Sequence, residues 1–407
     1  MEKEKINILQ IAPRYCFPED DGGKIGIANI TKELHRLGAQ ITYFTFDNGD
    51  ITDDKKKLIA PYAELKTFNH STANTIPRIA HSLFQKDSLY MTKHFTQDAF
   101  DALEKIFNKG NYDVIHTDHS AMAPLALKLK EKYGIPVGLR LHNIEWTIWQ
   151  RYADILPRFS LQKIYIQSQA KKLRRNEREI LKHTDIAFAI TEEDRQRALE
   201  LNPQANIIIA SAGVDSEQWK PDDKTERNKF ELILATTYKW RHNVDAVKWF
   251  IEEVLQILNK KIPQIKLTLL GKGIPKEFDA YKSIGLNPIG YVPSVQPYLN
   301  RAGIYISPLF VGGGIRIKIL EAMAMQLPVI ASPVAAEGIK TKDENGLFVR
   351  NSAKDFIDTI LELIENDDLR IQSGINARHY VENNFSWRKN VQIMFDKYLE
   401  LKKKIED

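Results

Sequence analysis

Short apolar runs alternate with amphipathic stretches twice along this chain, and that alternation constrains the fold more than any other feature. In the first half "INILQIAP" (6–13) reads as a strand, "IANITKELHRLGA" as a helix ending at Gly38, and "QITYFTF" as the next strand. Such strand–crossover–strand units predict a parallel sheet. Further strands are expected at "YDVIHT" (112–117), "PVGLRLH" (136–142), "DIAFAIT" (185–191) and "NIIIASAG" (206–213). Residues 50–108 are polar and less periodic, and are expected to form helices and loops over the sheet.

The stretch "GVDSEQWKPDDKTERNK" (213–229) carries Pro and no apolar period, so it reads as a linker. Beyond it the pattern restarts. Strands are expected at "FELILAT", "IKLTLLG", "NPIGYV", "GIYISPL", "PVIASP" and "GLFV", and helices at "VDAVKWFIEEVLQILNKK", "VQPYLNRA" and "AKDFIDTILELIEND". The expected architecture is α/β, with two Rossmann-like domains, 1–215 and 216–386, side by side across a cleft. A last helix, 387–407, is expected to pack back on the first domain. A length of 407 residues agrees, being too much for one ordinary core.

Composition excludes several classes. The longest apolar runs fall far short of the roughly 20 residues needed to span a bilayer. The N-terminus, "MEKEKINILQIAP", passes from charge straight into a strand, so no signal peptide is expected. Cys16 is the only cysteine, which excludes an intrachain disulfide and fits a reducing cytoplasm. The net charge of +5 is mild, and no basic stripe is interleaved with aromatics, so a nucleic-acid partner is not expected. The excess is local: Arg151 to Lys182 holds nine Arg/Lys against three Asp/Glu. That helical segment reads first as a solvated face, next as a surface that approaches anionic lipid head groups at the inner face of the membrane, and last as one for nucleic acid.

The chemistry concentrates in "VGGGIRIKILEAMAMQLPVIAS", Val311 to Ser332. An apolar strand, a glycine-rich loop (Gly312, Gly313, Gly314, Ile315) and a helix are the context of a phosphate cradle. Glycines permit close backbone approach, and a helix N-terminus offers free N–H groups to an anion. Arg316 and Lys318 fall in the expected first helical turn, where cations are electrostatically disfavoured unless they meet negative charge. Glu321 follows within two turns and is able to accept hydrogen bonds from sugar hydroxyls. The alternative is a plain turn with solvated basic side chains.

The stretch "SPLFVGGGIRIKILEAMAMQLPVIASPVAAEGI" resembles the donor-site signature of the retaining, two-domain (GT-B) glycosyltransferases of family four, in a variant branch with a GGG-R-K-LEAMA motif. The resemblance extends through "TTYKWRHNVDAVKWFIEEV", "GYVPSVQPYLNRA" and "ARHYVENNFSW", and less densely through "PEDDGGKIGIANITKELHRLGAQIT", "LRLHNIEW" and "SAGVD". It implies a nucleotide-sugar donor held mainly by the second domain, an acceptor held mainly by the first, and no metal or other cofactor. Of the family's two glutamates, the second is Glu321, implied to bind the donor ribose, while the first falls on Gly313. A family arginine and lysine fall near Thr237 and near His242 or Asn243, which leaves Arg316 and Lys318 to supply the charge. Glu337, in "PVAAEGI", is placed to approach the donor sugar in the missing carboxylate's stead. Trp240 and Tyr238 are candidates for stacking or for core packing.

In the first domain Gly22 and Gly23 follow the first strand and are expected to precede its helix, letting the chain approach the diphosphate or reacting sugar. His142, at a strand end in "RLHNIEW", is implied to lie near the donor sugar and the attacking hydroxyl. Glu145 is placed to orient it or to touch the acceptor. His116, Asp118 and His119 invite a metal reading, but strand alternation divides them between faces and no fourth ligand has suitable spacing. The expected activity is retaining transfer of a sugar from a nucleoside diphosphate to a glycan or lipid-linked acceptor in surface polysaccharide assembly. A nucleotide-sugar epimerase, or a non-catalytic nucleotide-sugar-binding protein of the same fold, remains open at this point.

Overall fold

Apolar runs become buried parallel strands, as the alternation requires. The computed structural model describes residues 5–19, 22–222, 224–311, 314–339 and 342–406, with side chains to Lys404. The chain divides into two units: one runs to Ser211 and is completed from Trp387 onward, and the other spans Ala212–Ser386.

The first unit contains β1 (Ile6–Ala12), β2 (Ala39–Asp47), β3 (Glu64–Asn69), β4 (Val114–Asp118), β5 (Val137–Leu141), β6 (Ile186–Ala189) and β7 (Ile207–Ile209). They form one parallel sheet in the order β3-β2-β1-β4-β5-β6-β7. Buried Leu9, Ile11, Phe44, Ile115 and Val137 pack beneath the Gln97–Phe107 and Ala123–Tyr133 helices. Leu139, Leu141, Ala187 and Ile207 meet Leu173 and Ile180 of the Leu161–His183 helix. Ser160 caps that helix, its hydroxyl accepting from Lys163 N at 3.1 Å.

The second unit contains β8 (Asn228–Ala235), β9 (Lys266–Leu270), β10 (Leu286–Gly290), β11 (Ala302–Ser307), β12 (Val329–Ala331) and β13 (Leu347–Val349). The sheet order is β10-β9-β8-β11-β12-β13, again parallel. Two buried clusters cover it, one centred on Phe250, Leu267 and Phe356, the other on Ile233, Leu320 and Met323. The α/β class and the paired Rossmann-like sheets are thus as expected.

Several expectations need correction. Residues 50–108 hold the edge strand β3, whose half-exposed pattern and short length hid it among polar residues. The Asp367–Asn384 helix was not anticipated: it has no strong apolar stripe, and Arg370, Ser373 and Gly374 are among its buried residues. Gly22 and Gly23 do not precede the first helix; they begin it, as Gly22–Leu37. The helix of the glycine motif starts only at Ile317, with Arg316 extended at its N-cap. The Trp387–Glu406 helix does return to the first unit, packing on the Gly22–Leu37 helix and on β4.

Candidate active site

Ligands of open parallel sheets bind beyond the carboxyl ends of the strands, where the strand order reverses. That point lies between β1 and β4 in the first unit and between β8 and β11 in the second. The sequence-predicted residues gather at these two places.

In the first unit the register sets Gln10 beside His116, and Asp118 beside Arg140. All four side chains are buried. Gln10 Nε2 donates to Asp118 Oδ2 at 2.9 Å, His116 Nε2 is 3.3 Å from the same oxygen, and Arg140 is 3.6 Å from Oδ1. Burial alone would raise the Asp118 carboxyl, but His116 and Arg140 outweigh it and hold it at about 2. His116 and Asp118 are therefore committed to each other rather than poised for a metal. Among the described residues no group of three or more His, Cys, Asp and Glu gathers in metal-binding geometry.

His142 follows β5, and Arg140 Nη1 lies 3.3 Å from its Nδ1. A guanidinium only donates, so Nδ1 accepts and the ring proton sits on Nε2. Burial, then the charges of Arg140 and Arg14, push the His142 pKa down to about 3. His142 is thus a neutral Nε2–H donor and not a base. Its ring stacks on His119 at 4.4 Å, and His119 carries the left-handed φ of 67°. A non-glycine residue there is strained, and such strain clusters at functional positions. At Gly22 an added Cβ would meet nothing within 4 Å, so the start of the adjacent helix is open.

Glu145 does not touch His142. Its carboxyl, pushed up to about 7 by burial, takes hydrogen bonds from Asn143 and Tyr90. Behind it Glu177 receives the backbone N–H groups of Glu145 at 3.0 Å and Trp146 at 3.1 Å, and the Ser120 hydroxyl at 3.3 Å. Burial and the neighbouring Glu145 push Glu177 up to about 8.

In the second unit, Gly312 and Gly313 lie outside the described residues. Gly314 adopts φ 72°, a value that suits glycine, and half-buried Ile315 packs against the core beside it. Arg316 is half-buried; burial lowers its pKa, and Glu337 attracts it in the opposite sense. His242 faces Arg316 as well, its pKa lowered by burial and by that charge. Arg316 is thus coupled electrostatically to both Glu337 and His242. Ser332 holds the Glu337 loop to the glycine loop, donating to Leu309 O and accepting from Ala335 N at 3.2 Å.

Lys318 is part-exposed but paired. Its Nζ lies 2.8 Å from Glu321 Oε2. Glu321 is buried, which raises its carboxyl pKa while Lys318 opposes the rise. Asn243 is buried too, and its amide clamps the loop after β8, donating to Thr236 Oγ1 at 3.1 Å and Thr237 O at 2.8 Å. Tyr238 packs in the core, whereas Trp240 is exposed and lies parallel to His242. Arg14, Arg140, Glu177 and Gln10 escaped sequence reasoning. An arginine inside the apolar run "PVGLRLH" was the available signal for Arg140.

Comparison with known proteins identifies the family of this fold. Residues 21–218 match the family described as Glycosyltransferase Family 4, and residues 231–366 match Glycosyl transferases group 1. An uncharacterized glycosyltransferase of Methanocaldococcus jannaschii is 26% identical over 52% of this chain, which spans 58% of that relative's length. An uncharacterized 44.6 kDa protein in the cps region of Klebsiella pneumoniae is 24% identical over 95% of this chain and 98% of its own. The structure of HepE from Anabaena in complex with UDP and glucose superposes with a TM-score of 0.66, at 12% identity, covering 97% of this chain and 100% of that one. Fold and matched segments together define a two-domain glycosyltransferase of the GT-B class. More particularly, this chain is a glycosyltransferase of the family-four type.

Proposed function

We propose that this enzyme moves a sugar, with retention, from a nucleoside diphosphate sugar to a hydroxyl of a glycan or lipid-linked acceptor in surface polysaccharide assembly. The observation that carries the reading is the pairing of Lys318 with the buried Glu321 beside the glycine loop, where Arg316 is also coupled electrostatically to Glu337 and His242. The cps-region relative and the UDP-bound structural neighbour support the setting and the donor class.

As the anomeric bond breaks, negative charge grows on the leaving phosphate. Arg316, Lys318 and the N–H groups at the start of the Ile317–Ala324 helix oppose that charge. Lys318 exchanges Glu321 for phosphate, which frees the Glu321 carboxylate to accept from the ribose hydroxyls. Glu337 holds donor-sugar hydroxyls, the task that Gly313 is unable to perform. His142 donates from Nε2 to an oxygen of the reacting sugar. Because it is neutral with Nδ1 occupied, the leaving phosphate itself takes the acceptor proton. Glu145, between Asn143 and Tyr90, contacts the acceptor. With cations of the chain opposing the phosphate charge, no metal ion is required.

The test is a thermal-shift screen against UDP-, GDP-, ADP- and CMP-sugars, followed by transfer to lipid-linked acceptors and NMR of the product anomer. An inverted anomer removes retention, and conversion of the donor without acceptor favours an epimerase. Donor binding with no transfer to any acceptor favours a non-catalytic role.

A further inference from the structure

One buried carboxylate ties together the two loops that carry the stacked histidines of the first unit. Glu177 belongs to the Leu161–His183 helix, and its side chain is buried. Its Oε1 accepts from Glu145 N at 3.0 Å and from the Ser120 hydroxyl at 3.3 Å, and its Oε2 accepts from Trp146 N at 3.1 Å. Ser120 directly follows His119 in the loop after β4, and Glu145 comes three residues after His142 in the loop after β5. The two rings that stack at 4.4 Å are therefore each flanked by a group that Glu177 holds.

Two observations argue that these contacts set the rings rather than merely fill space. The Glu145–Ile155 helix has no cap of its own, because Ile144 stands at its N-cap and has no side-chain acceptor. The next two helices of the chain are capped locally, by Ser160 and by Thr191. Here the acceptor comes from a distant helix instead, and burying a carboxylate for the purpose is costly. A serine or aspartate at position 144 would satisfy the same N–H groups at less cost. It would not, however, fix the helix start against the loop after β4, which Glu177 does through Ser120. The second observation concerns His119, whose Nε2 is buried without a partner among the described residues. No hydrogen bond at that atom orients the ring. Its backbone is held on both sides instead: His119 N donates to Arg140 O at 3.2 Å, and Glu177 takes the hydroxyl of the next residue.

We propose that Glu177 is a positioning residue, whose carboxylate fixes the loops after β4 and β5 against each other and so sets the His119–His142 stack. It rests on the sugar-transfer reading only in placing His142 beside the reacting sugar. Histidine ring NMR on the full-length chain, labelled with nitrogen-15 histidine, compares the parent with Glu177→Gln and Ser120→Ala. His119→Gln and His142→Gln identify the two ring signals. Glu177→Gln keeps the side-chain size but sets an amide donor against an N–H group. Expected are shifted His119 and His142 signals in Glu177→Gln and a shifted His119 signal in Ser120→Ala, with circular dichroism unchanged. Leu103→Ala, in the other core cluster of this unit, controls for general loosening: it lowers the melting temperature and leaves both signals in place. With a donor and acceptor in hand, kcat of Glu177→Gln is expected to fall by roughly tenfold to a hundredfold at nearly constant donor KM, and that of Leu103→Ala to stay parental. The proposal is overturned by ring signals that match the parent in both variants, or that move as far in Leu103→Ala as in Glu177→Gln. If Glu177→Gln does not fold, Ser120→Ala, which loses one hydroxyl, decides alone. Rings that move while turnover stays parental support the contact made by Glu177 and overturn instead the placement of His142 at the reacting centre.

Discussion

The Tyr398 hydroxyl lies 2.6 Å from His116 Nδ1, joining the last helix of the chain to β4. The ring fits because residue 138 is glycine: a Cβ there would stand 2.4 Å from the Tyr398 ring. With Nε2 beside the ionised Asp118, His116 accepts the tyrosine proton at Nδ1. The chain Tyr398–His116–Asp118–Arg140–His142 thus runs from the C-terminal helix to the proposed reacting centre.

Tyr398→Phe deletes one buried hydroxyl and leaves His116 without that donor. The expected loss is ~1–3 kcal/mol in urea unfolding. Gly138→Ala forces ring and backbone apart and is expected to destabilise further. Unchanged unfolding midpoints in both variants would remove the structural role given to this contact.

Arg316→Ala is expected to lower kcat by ~10²–10³ with little change in melting temperature, since it opposes charge that develops only in the transition state. Lys318→Ala acts twice. It removes a phosphate contact and strands Glu321 as a buried charge, so both kcat and stability fall. Lys318→Ala/Glu321→Gln restores the stability but not the rate. Near-parental turnover in Arg316→Ala would sink the charge assignment.

Stability of the first unit depends on pH through Glu145 and Glu177, raised from 4.5 to about 7 and about 8. Between those limits the folded chain keeps protons that the unfolded chain releases. Stability therefore falls as pH rises from 4.5 to about 8, then levels. His142, lowered from 6.5 to about 3, works in the opposite sense and loses stability as pH falls below 6.5. Melting temperatures across this range should show the alkaline decline flattened in Glu145→Gln.

Transfer activity is expected to survive EDTA at full rate and to gain nothing from added Mg²⁺ or Mn²⁺, because Arg316 and Lys318 carry the task of a divalent ion. Loss of turnover on chelation, restored by metal, would refute this.

The sheets were legible because buried parallel strands leave near-continuous apolar runs, and "INILQIAP" or "IKLTLLG" has few other fates. β3 was not, since no residue of "ELKTFN" is fully buried and its sequence carries no apolar run. At the site, the glycine loop, Arg316 and Lys318 stood out as a local conflict between basic side chains and a helix start, and Glu337 only through the family glutamate missing at Gly313. Lys318–Glu321 was not read as a pair, although the spacing of three allows it. Arg140 left only the signal of a charge inside an apolar run, and Tyr398 none: their partners come from β4, and only the strand register and helix packing reveal which residues become neighbours.

The first unit takes its final helix from the far end of the chain, after the second unit is complete. On the ribosome this reverses the usual order. The second unit has every strand in hand once Ser386 has emerged, while the earlier-made sheet waits for Tyr398 to fill the space beside Gly138. Nascent chains cut short anywhere between Ser386 and Tyr398 therefore carry a finished second unit and an unfinished first one, and quality control that recognises exposed core has the older unit to inspect.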